Sequence, residues 1–223
     1  MRIGTFFLLL SILCFAAGAA SVVAGTPALC IASAWPALAF LAVAIAYLKV
    51  GARLLGKRPD GSLPTLIVAL LLPYFFLTWG IWRLIRLGRE RCYDLVAPGL
   101  YLGRRPVGRE LPDEVTIVVD LTAEFPRPPG IKSGCEYRCL PTLDGFVPDE
   151  MPCRNLVDLL AGHPGPIYVH CAQGHGRSAV VVGALLVRKG FAKNAADAEQ
   201  IMKSARPGVS LSSSQRALLG KLV

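Results

Sequence analysis

Uninterrupted apolar residues dominate the first 88 positions of this 223-residue chain, which is 53% hydrophobic. No charged side chain occurs from Ile3 to Leu48, and a second uncharged stretch runs from Gly61 to Trp82. Because a membrane-spanning helix needs about 20 apolar residues, the first stretch predicts two such helices, separated at Ala24–Pro27. The second predicts one more potential span, with Pro73 at its middle and aromatic residues toward one end, as in an interfacial belt.

From residue 89 onward, short apolar runs alternate with helical patterns. The runs predict strands at Leu100–Gly103, Val115–Leu121, Glu136–Leu140 and Pro166–His170. The helical patterns fall near Asp149–Ala161, Arg177–Lys189, Asn194–Ala205 and Ser212–Leu222. Such alternation indicates an α/β fold with a central sheet flanked by helices. We therefore predict a membrane-anchoring region over residues 1–88 and one folded domain over 89–223. Ser212 and Gln215 match a capping box at the start of the last helix, so helix capping is the predicted role of Gln215.

The net charge of +9 belongs mostly to the membrane-anchoring region. Residues 1–88 carry seven Lys or Arg against one Asp, whereas residues 89–223 carry 17 basic and 14 acidic side chains. A nucleic-acid-binding domain would need a basic face of its own, so we expect no nucleic-acid partner. The basic residues flank the third apolar segment on both sides, as Lys49, Arg53, Lys57 and Arg58 before it and Arg83, Arg86, Arg89 and Arg91 after it.

Basic flanks on both sides conflict with a single full crossing, because Lys and Arg concentrate on the cytoplasmic side. Three topologies stay open. A re-entrant or kinked half-span at Pro73 puts both clusters and the domain in the cytosol, whereas three full crossings put Lys49–Arg58 outside. A signal peptide cleaved near Ala17–Ala19 would leave the domain outside. The seven cysteines do not resemble a disulfide framework, so we expect an integral membrane protein whose domain faces the reducing cytoplasm.

Cys171 and Arg177 are separated by five mostly small residues, between an apolar strand and an apolar helix. A glycine-containing turn at this point can direct its backbone N–H groups inward and hold an anion. The dipole of the following helix favours a thiolate at Cys171, and the planar guanidinium of Arg177 can hold two phosphate oxygens. The sequence therefore predicts a phosphate-binding loop, whose variable positions are Ala172, Gln173, Gly174, His175 and Gly176.

The run His170–Ser178 resembles the signature of the cysteine-dependent protein tyrosine phosphatase superfamily, in which His-Cys is followed by five residues and then Arg-Ser or Arg-Thr. Val96–Gly103 and Val115–Leu121 look like the first strands of dual-specificity phosphatases, and the resemblance extends roughly over Tyr93–Val223.

The resemblance implies a role for four residues of the loop. Cys171 would be the nucleophile, Arg177 the phosphate clamp and Ser178 the hydroxyl that assists the thiolate as a leaving group, while His170 would brace the loop. His175 is either a rim residue that touches substrate or a solvated loop histidine.

Such a reaction also needs an acid that protonates the leaving oxygen as the P–O bond breaks. Asp144 is the candidate, because it lies just after the strand Glu136–Leu140, where dual-specificity enzymes carry their acid aspartate on a mobile loop. Asp149 and Glu150 are rivals, but they match the first turn of a helix. Asp144 with Gly145 also fits an ordinary turn.

The predicted reaction proceeds through a cysteinyl-phosphate, and we expect it to need no metal and no cofactor. Cys135 and Cys139 lie on one strand face without an accompanying histidine, so we predict no zinc site. The variable loop positions include no Lys or Arg, which disfavours multiply phosphorylated inositol lipids.

Several substrates and functions stay open. Phosphotyrosine, phosphoserine or phosphothreonine on proteins is one substrate class, and a lipid monophosphate such as phosphatidylglycerophosphate is the other. The short linker between the last apolar segment and the domain favours the lipid, because it holds the site close to the bilayer. A membrane-tethered phospho-binding domain without activity and a rhodanese-type sulfur transferase are the alternatives to a phosphatase.

Overall fold

The computed structural model describes residues 2–88 and 90–223, and the chain divides into two compact units. The first, called here the apolar unit, comprises Met1–Lys57 and Leu63–Gly88. The second, called here the α/β unit, comprises Arg89–Val223 together with the short segment Arg58–Ser62. A piece of chain between two apolar helices therefore belongs to the α/β unit.

The apolar unit is helical. Its elements are α1 (Arg2–Val23), α2 (Ala28–Ile45) continued by a π-helical turn (Ala46–Val50), a 3-10 turn (Ala52–Leu55), α3 (Thr65–Leu70) and α4 (Leu72–Arg86). The break between α1 and α2 falls at the predicted position, Ala24–Pro27. Two stretches, Ile3–Val23 and Ala28–Val50, are long and apolar enough to cross a membrane by length and composition.

The third apolar segment does not form one helix. Leu71 leaves the helical conformation, with φ −100° and ψ 17°, and Pro73 occupies the first turn of α4. Proline suits the first turn because its missing N–H would have no partner there. At 1.5 Å per residue, the 15 residues of α4 rise about 22 Å, which is less than the roughly 30 Å of a bilayer core.

Small and aromatic residues pack the helices of the apolar unit together. The Ser11 hydroxyl of α1 donates to the Ala37 carbonyl of α2 at 2.8 Å. Phe7 stacks on Phe40 with ring centroids 5.9 Å apart and meets Tyr74 of α4 edge-on at 5.3 Å. Many of the larger apolar side chains, such as Leu13, remain exposed on the outside of the unit.

The α/β unit contains a mixed five-stranded sheet. Its elements are β1 (Tyr93–Ala97), β2 (Leu100–Arg104), β3 (Ile117–Thr122), β4 (Glu136–Thr142), α5 (Glu150–Ala161), β5 (Ile167–Cys171), α6 (Arg177–Arg188), α7 (Ala195–Ala205) and α8 (Ser213–Leu222). The strand order is β1-β2-β5-β3-β4, with β1 antiparallel to β2 and the other neighbours parallel. β1 was not predicted as a separate strand; it forms a hairpin with β2 across Pro98–Gly99.

The alternation of side chains along β5 determines what lies on each face of the sheet. Ile167, Val169 and Cys171 enter the main core, to which α5, α6, α7 and α8 all contribute buried side chains. Tyr168 enters a smaller cluster that also contains Tyr101 and Val118. β5 is the central strand of the sheet, and Cys171 is its last residue. Cys171 therefore lies at the edge of the sheet where the adjacent parallel strand β3 also ends.

Candidate active site

The segment from Cys171 to Arg177 forms a tight loop between the end of β5 and the start of α6. Gly174 adopts φ +79°, and a Cβ atom there would come within 2.9 Å of the Arg104 backbone nitrogen. Only glycine meets both demands without strain. The helix α6 has no side-chain cap at Gly176, so its first N–H groups remain available to an anion.

The Cys171 sulfur is buried at the bottom of this loop. It accepts hydrogen bonds from the Gly174 backbone N–H at 3.2 Å and from the Ser178 hydroxyl at 3.3 Å. Burial by itself would raise the pKa of the Cys171 thiol, but the nearby Arg177 guanidinium and these hydrogen bonds outweigh burial and lower the pKa below its ordinary value. The arrangement therefore favours a thiolate nucleophile.

Arg177 is almost completely buried and is held by a carboxylate that the sequence analysis missed. Its Nη1 and Nη2 atoms donate to the two carboxylate oxygens of Glu124, at 2.9 and 2.8 Å, and Nη1 also donates to the Thr142 carbonyl at 2.7 Å. Burial lowers the pKa of Arg177, but Glu124, Asp144 and Cys171 outweigh it and raise the pKa, so the side chain stays charged. Among the described residues, Nε of Arg177 has no hydrogen-bond partner.

Asp144 lies on the loop that follows β4, and its side chain is 63% exposed. It nevertheless reaches the site, because its Oδ1 accepts a hydrogen bond from Nη2 of Arg177 at 2.9 Å. The rival Glu150 is engaged elsewhere, with Lys221 at 2.8 Å. Asp149 takes the N-cap position of α5 without a side-chain capping bond. Of the three carboxylates, only Asp144 lines the cleft that contains Cys171.

The open cleft above the sulfur has a volume of about 400 Å³. It is lined by Asp144, Gly145, Cys171, Gln173, His175, Gly176, Arg177, Ser210, Leu211, Ser212 and Gln215. The described part of the chain contains no group of three or more His, Cys, Asp or Glu side chains that could hold a metal ion.

Arg206, which the sequence analysis also missed, supports the loop from behind. Its Nε donates to the Gly174 carbonyl at 3.2 Å and its Nη2 to the Gln173 carbonyl at 2.9 Å. Asp94 binds Nη1 of the same guanidinium at 2.8 Å. These bonds hold the backbone of the loop in place at Gln173 and Gly174. No sequence signal marks this arginine, since its partners lie more than 30 residues away.

His175 points toward an acidic side chain. Its Nε2 lies 2.6 Å from Oε1 of Glu90, and the same carboxylate lies 3.2 Å from Nη2 of Arg206. His175 is therefore a residue at the rim of the cleft with an acidic partner.

His170 is fully buried beneath the loop. Its Nδ1 lies 3.3 Å from the Cys171 carbonyl oxygen and 3.9 Å from Oδ1 of Asp120. Asp120 is itself buried and accepts hydrogen bonds from the backbone and hydroxyl of Thr122. These contacts are compatible with the bracing role that the resemblance implies for His170.

Gln215 forms the predicted capping box with Ser212, in which each residue bonds to the backbone N–H of the other. Its Nε2 also donates to the Phe146 carbonyl at 3.2 Å. The capping residue therefore also tethers the loop that carries Asp144.

Glu124 could have been found from the sequence. It follows β3 by two residues, and the carboxyl ends of adjacent parallel strands meet at one edge of a sheet. Because β3 lies next to β5, this edge rule places an acidic residue after β3 close to the loop after β5. The signal was present, but it required the strand order.

Comparison with known proteins agrees with this geometry. Residues 108–218 match the family model described as "Swiss Army Knife protein, DSP-PTPase phosphatase domain". No curated protein shows a significant sequence match to the chain.

Tk-PTP and PTPMT1 are solved structures that share the fold of the α/β unit. The crystal structure of Tk-PTP in the active form is 22% identical, with a TM-score of 0.52 over 59% of this chain and 95% of that chain. PTPMT1 in complex with PI(5)P is 22% identical, with a TM-score of 0.50 over 59% of this chain and 94% of that chain. Human DUSP28 is 26% identical, with a TM-score of 0.47 over 60% of this chain and 93% of that chain.

The family match over residues 108–218 indicates a cysteine-based phosphatase domain, and the fold, which Tk-PTP and PTPMT1 share, agrees with it. The α/β unit is thus a cysteine-based phosphatase domain, which favours a phosphatase over a sulfur transferase.

Proposed function

We propose that this protein is a membrane-anchored phosphatase that hydrolyses phosphate monoesters, on phosphotyrosine, phosphoserine or phosphothreonine of proteins, through a cysteinyl-phosphate at Cys171. One observation carries the proposal. The Cys171 sulfur is held by donors from Gly174 and Ser178, in a cleft that also receives Asp144 and the buried guanidinium of Arg177.

In the first step, the Cys171 thiolate attacks phosphorus in line and the bond from phosphorus to the leaving oxygen breaks. Asp144, protonated for this step, donates its proton to that oxygen. Nε of Arg177 and the loop N–H groups bind the oxygens of the transferring phosphoryl group, whose charge they stabilise. Each such donor contributes a few kcal/mol of barrier lowering.

In the second step, water attacks the cysteinyl-phosphate and gives a proton to Asp144 as the P–S bond breaks. The products are inorganic phosphate and the Cys171 thiolate. The Ser178 hydroxyl, which lies 3.3 Å from the sulfur, stabilises the thiolate as it leaves. Glu124 and Arg206 take no part in proton transfer and act by positioning Arg177 and the loop.

The substitution Cys171→Ser tests this mechanism. Turnover of p-nitrophenyl phosphate by the full-length protein in detergent should fall by about 10⁴-fold or more, while phosphate binding persists. Cys139→Ser is the matched control, because that cysteine lies on β4, away from the cleft. Normal hydrolysis by Cys171→Ser would refute the proposal.

The apolar unit supports the membrane anchor. Leu13, Ile31 and Phe76 are 65, 78 and 79% exposed, and so large an outward apolar surface is characteristic of contact with lipid. We assign the α/β unit to the cytoplasmic face, where a reactive thiolate stays reduced. A reporter enzyme that is active only outside the membrane, fused to Val223, should give no signal. A strong signal would contradict this assignment.

A lipid monophosphate is the second candidate substrate. Phe146 and Met151 are exposed apolar side chains on the segment that follows Asp144, where they could meet an acyl chain. PTPMT1, which shares the fold, has been crystallised with PI(5)P.

Assays of purified full-length protein on phosphopeptides and on monophosphorylated lipids in mixed micelles separate the two substrate classes. Phe146→Ser should reduce turnover of the lipid selectively if that is the substrate. Equal loss on both substrates would remove this argument for a lipid.

A further inference from the structure

The segment Arg58–Ser62 connects two apolar helices, yet it belongs to the α/β unit. Its sequence, Arg-Pro-Asp-Gly-Ser, is a strong turn signal, because proline presets the first corner and glycine accepts a positive φ. The turn forms as this sequence predicts. The Gly61 N–H donates to the Arg58 carbonyl, the Arg58 N–H donates to the Ser62 carbonyl, and both distances are 2.9 Å. Oδ1 of Asp60 accepts from the Ser62 N–H at 2.8 Å.

This turn, Arg58–Ser62, is docked and not merely adjacent. The Gly61 carbonyl accepts a hydrogen bond from the Arg127 backbone N–H at 2.8 Å. Gly61 is buried and has φ +83°, and a Cβ atom there would lie 2.8 Å from both Arg127 Cβ and Tyr137 Cε1. The Arg127 guanidinium lies over the Tyr137 ring at 4.7 Å, and the Tyr137 hydroxyl donates to the buried Asp120 at 2.8 Å. The docking surface is therefore part of the sheet of the α/β unit.

Docking restricts the path of the chain. A turn that packs against the α/β unit lies on the same side of a membrane as that unit. The next segment, Leu63–Gly88, starts from this turn and ends where the α/β unit begins. Both ends of the third apolar segment are therefore on one side, which a single full crossing does not allow.

The bend within this segment is built to lie among apolar groups. A bend between two helices interrupts the regular hydrogen-bond pattern of the backbone, and a carbonyl without a donor is costly in lipid unless another donor reaches it. Nε1 of Trp35 donates to the Leu70 carbonyl at 3.0 Å. Trp35 lies in the interior of the potential span Ala28–Val50, so the bend is placed beside the length of α2 and not at its end.

We propose that Leu63–Gly88 is a re-entrant hairpin, which enters the bilayer from the side of the α/β unit, bends at Leu71 and returns to the same side. This inference rests on the proposed membrane anchor and selects one of the three topologies that the sequence left open. Both basic clusters then lie on one face, which removes the conflict with the positive-inside rule. The hairpin of α1 and α2 crosses twice and places the N-terminus on that face too.

Single introduced cysteines test the path of the chain in the full-length protein, reconstituted in sealed vesicles of one orientation. Asp60→Cys reports the turn, Lys193→Cys the α/β unit, Ala24→Cys the far end of the hairpin and Leu70→Cys the bend. All four positions are exposed. Labelling by a membrane-impermeant maleimide, before and after detergent, is located by peptide mass spectrometry, so the native cysteines remain in place.

Positions 60 and 193 should be labelled from the same side and position 24 from the opposite side only. Position 70 should be labelled only after detergent. If position 60 shares its side with position 24, the segment crosses and the proposal is wrong. If position 70 is labelled in intact vesicles, the segment lies at the surface and the proposal is also wrong.

Alkaline carbonate extraction separates failure of the anchor from failure of the hairpin. If the protein is extracted, or if all four positions are labelled without detergent, there is no membrane insertion and the hairpin falls with it. Hydrolysis of p-nitrophenyl phosphate by the same samples reports independently on the phosphatase proposal.

Discussion

The apolar unit and the α/β unit distribute their side chains in opposite ways. In the apolar unit, large aliphatic groups such as Ile31 face outward, while the Ser11 hydroxyl is turned inward onto a helix carbonyl. In the α/β unit, Val119 and Leu185 are fully buried, and charged residues such as Arg216 lie outside. The contrast teaches that the same residue types are sorted by the surrounding solvent, which is lipid for one unit in our proposal and water for the other.

The largest expected effect tests whether catalysis depends on the buried charges of the α/β unit. We expect Arg177→Lys to lower kcat/KM for p-nitrophenyl phosphate by about 10²–10³-fold, because lysine lacks the planar fork and loses a stabilising donor. Arg216→Lys is the matched control, since Arg216 also forms a two-point bond to a glutamate, Glu199, but on the surface. The control should change activity by no more than about twofold. Retention of more than a tenth of the activity in Arg177→Lys would contradict the assignment.

A leucine-to-alanine substitution in each unit compares the effect of a buried and of an exposed apolar side chain on stability. Leu185→Ala should cost about 2–5 kcal/mol of the free energy of unfolding, because it leaves a cavity in a closed core. Leu13→Ala removes an exposed side chain and should cost no more than about 0.5 kcal/mol. Urea titration in mild detergent, followed by near-ultraviolet circular dichroism, measures both. Similar costs at the two positions would show that the outer surface of α1 is packed like a core.

A smaller effect is expected when one hydrogen bond to the sulfur is removed. Because the folded-state pKa of Cys171 lies below its ordinary value, its thiolate persists to a lower pH than that of an ordinary cysteine and is lost as pH falls through the lowered pKa. Ser178→Ala removes one lowering contribution and should move the pH profile of Cys171 alkylation upward. A hydrogen bond to a charged group contributes about 1.5–3 kcal/mol, so alkylation by iodoacetamide near pH 6 should slow roughly tenfold.

Ser213→Ala, at an exposed position of α8, provides the control for this experiment. An unchanged alkylation profile in Ser178→Ala would mean that its hydroxyl does not stabilise the thiolate.

The smallest effect concerns the cap of α8. Ser212→Ala should lower the free energy of unfolding by about 1 kcal/mol, as is usual for loss of an N-cap side chain. Ser214→Ala, within the exposed part of the same helix turn, should have less effect. If the two variants are equally stable in a urea titration, the capping box contributes nothing measurable.

The site residues whose contacts are local in sequence were easier to predict than those whose contacts are distant in sequence. Cys171, Gly174 and Arg177 lie within one short loop, so their spacing in the sequence was enough to predict that loop. Asp144 was predicted from its position after a strand. Glu124 and Arg206 were not, because their partners lie 53 and 32 residues away along the chain, for Arg177 and Gly174 respectively. Such pairings depend on the strand order, which a local pattern does not contain.

The fold shows the same limit. Four of the five strands of the central sheet, β2 to β5, and the break between α1 and α2 were predicted from periodicity and charge. The membrane topology of the third apolar segment was left open, because a hydropathy pattern does not show whether a five-residue turn packs against another part of the protein. Burial of Gly61 against Tyr137 is a tertiary event, and only the structure could show it.

The ion pair of Asp144 with Arg177 has a final consequence for the proposed enzyme. The Asp144 carboxylate and an incoming phosphate are both anions that the Arg177 guanidinium attracts, so the proposed proton donor also competes for the cation. Removing that carboxylate would tighten the grip on phosphate and slow the turnover at once. Asp144 therefore weakens the binding of phosphate while it raises the rate of turnover.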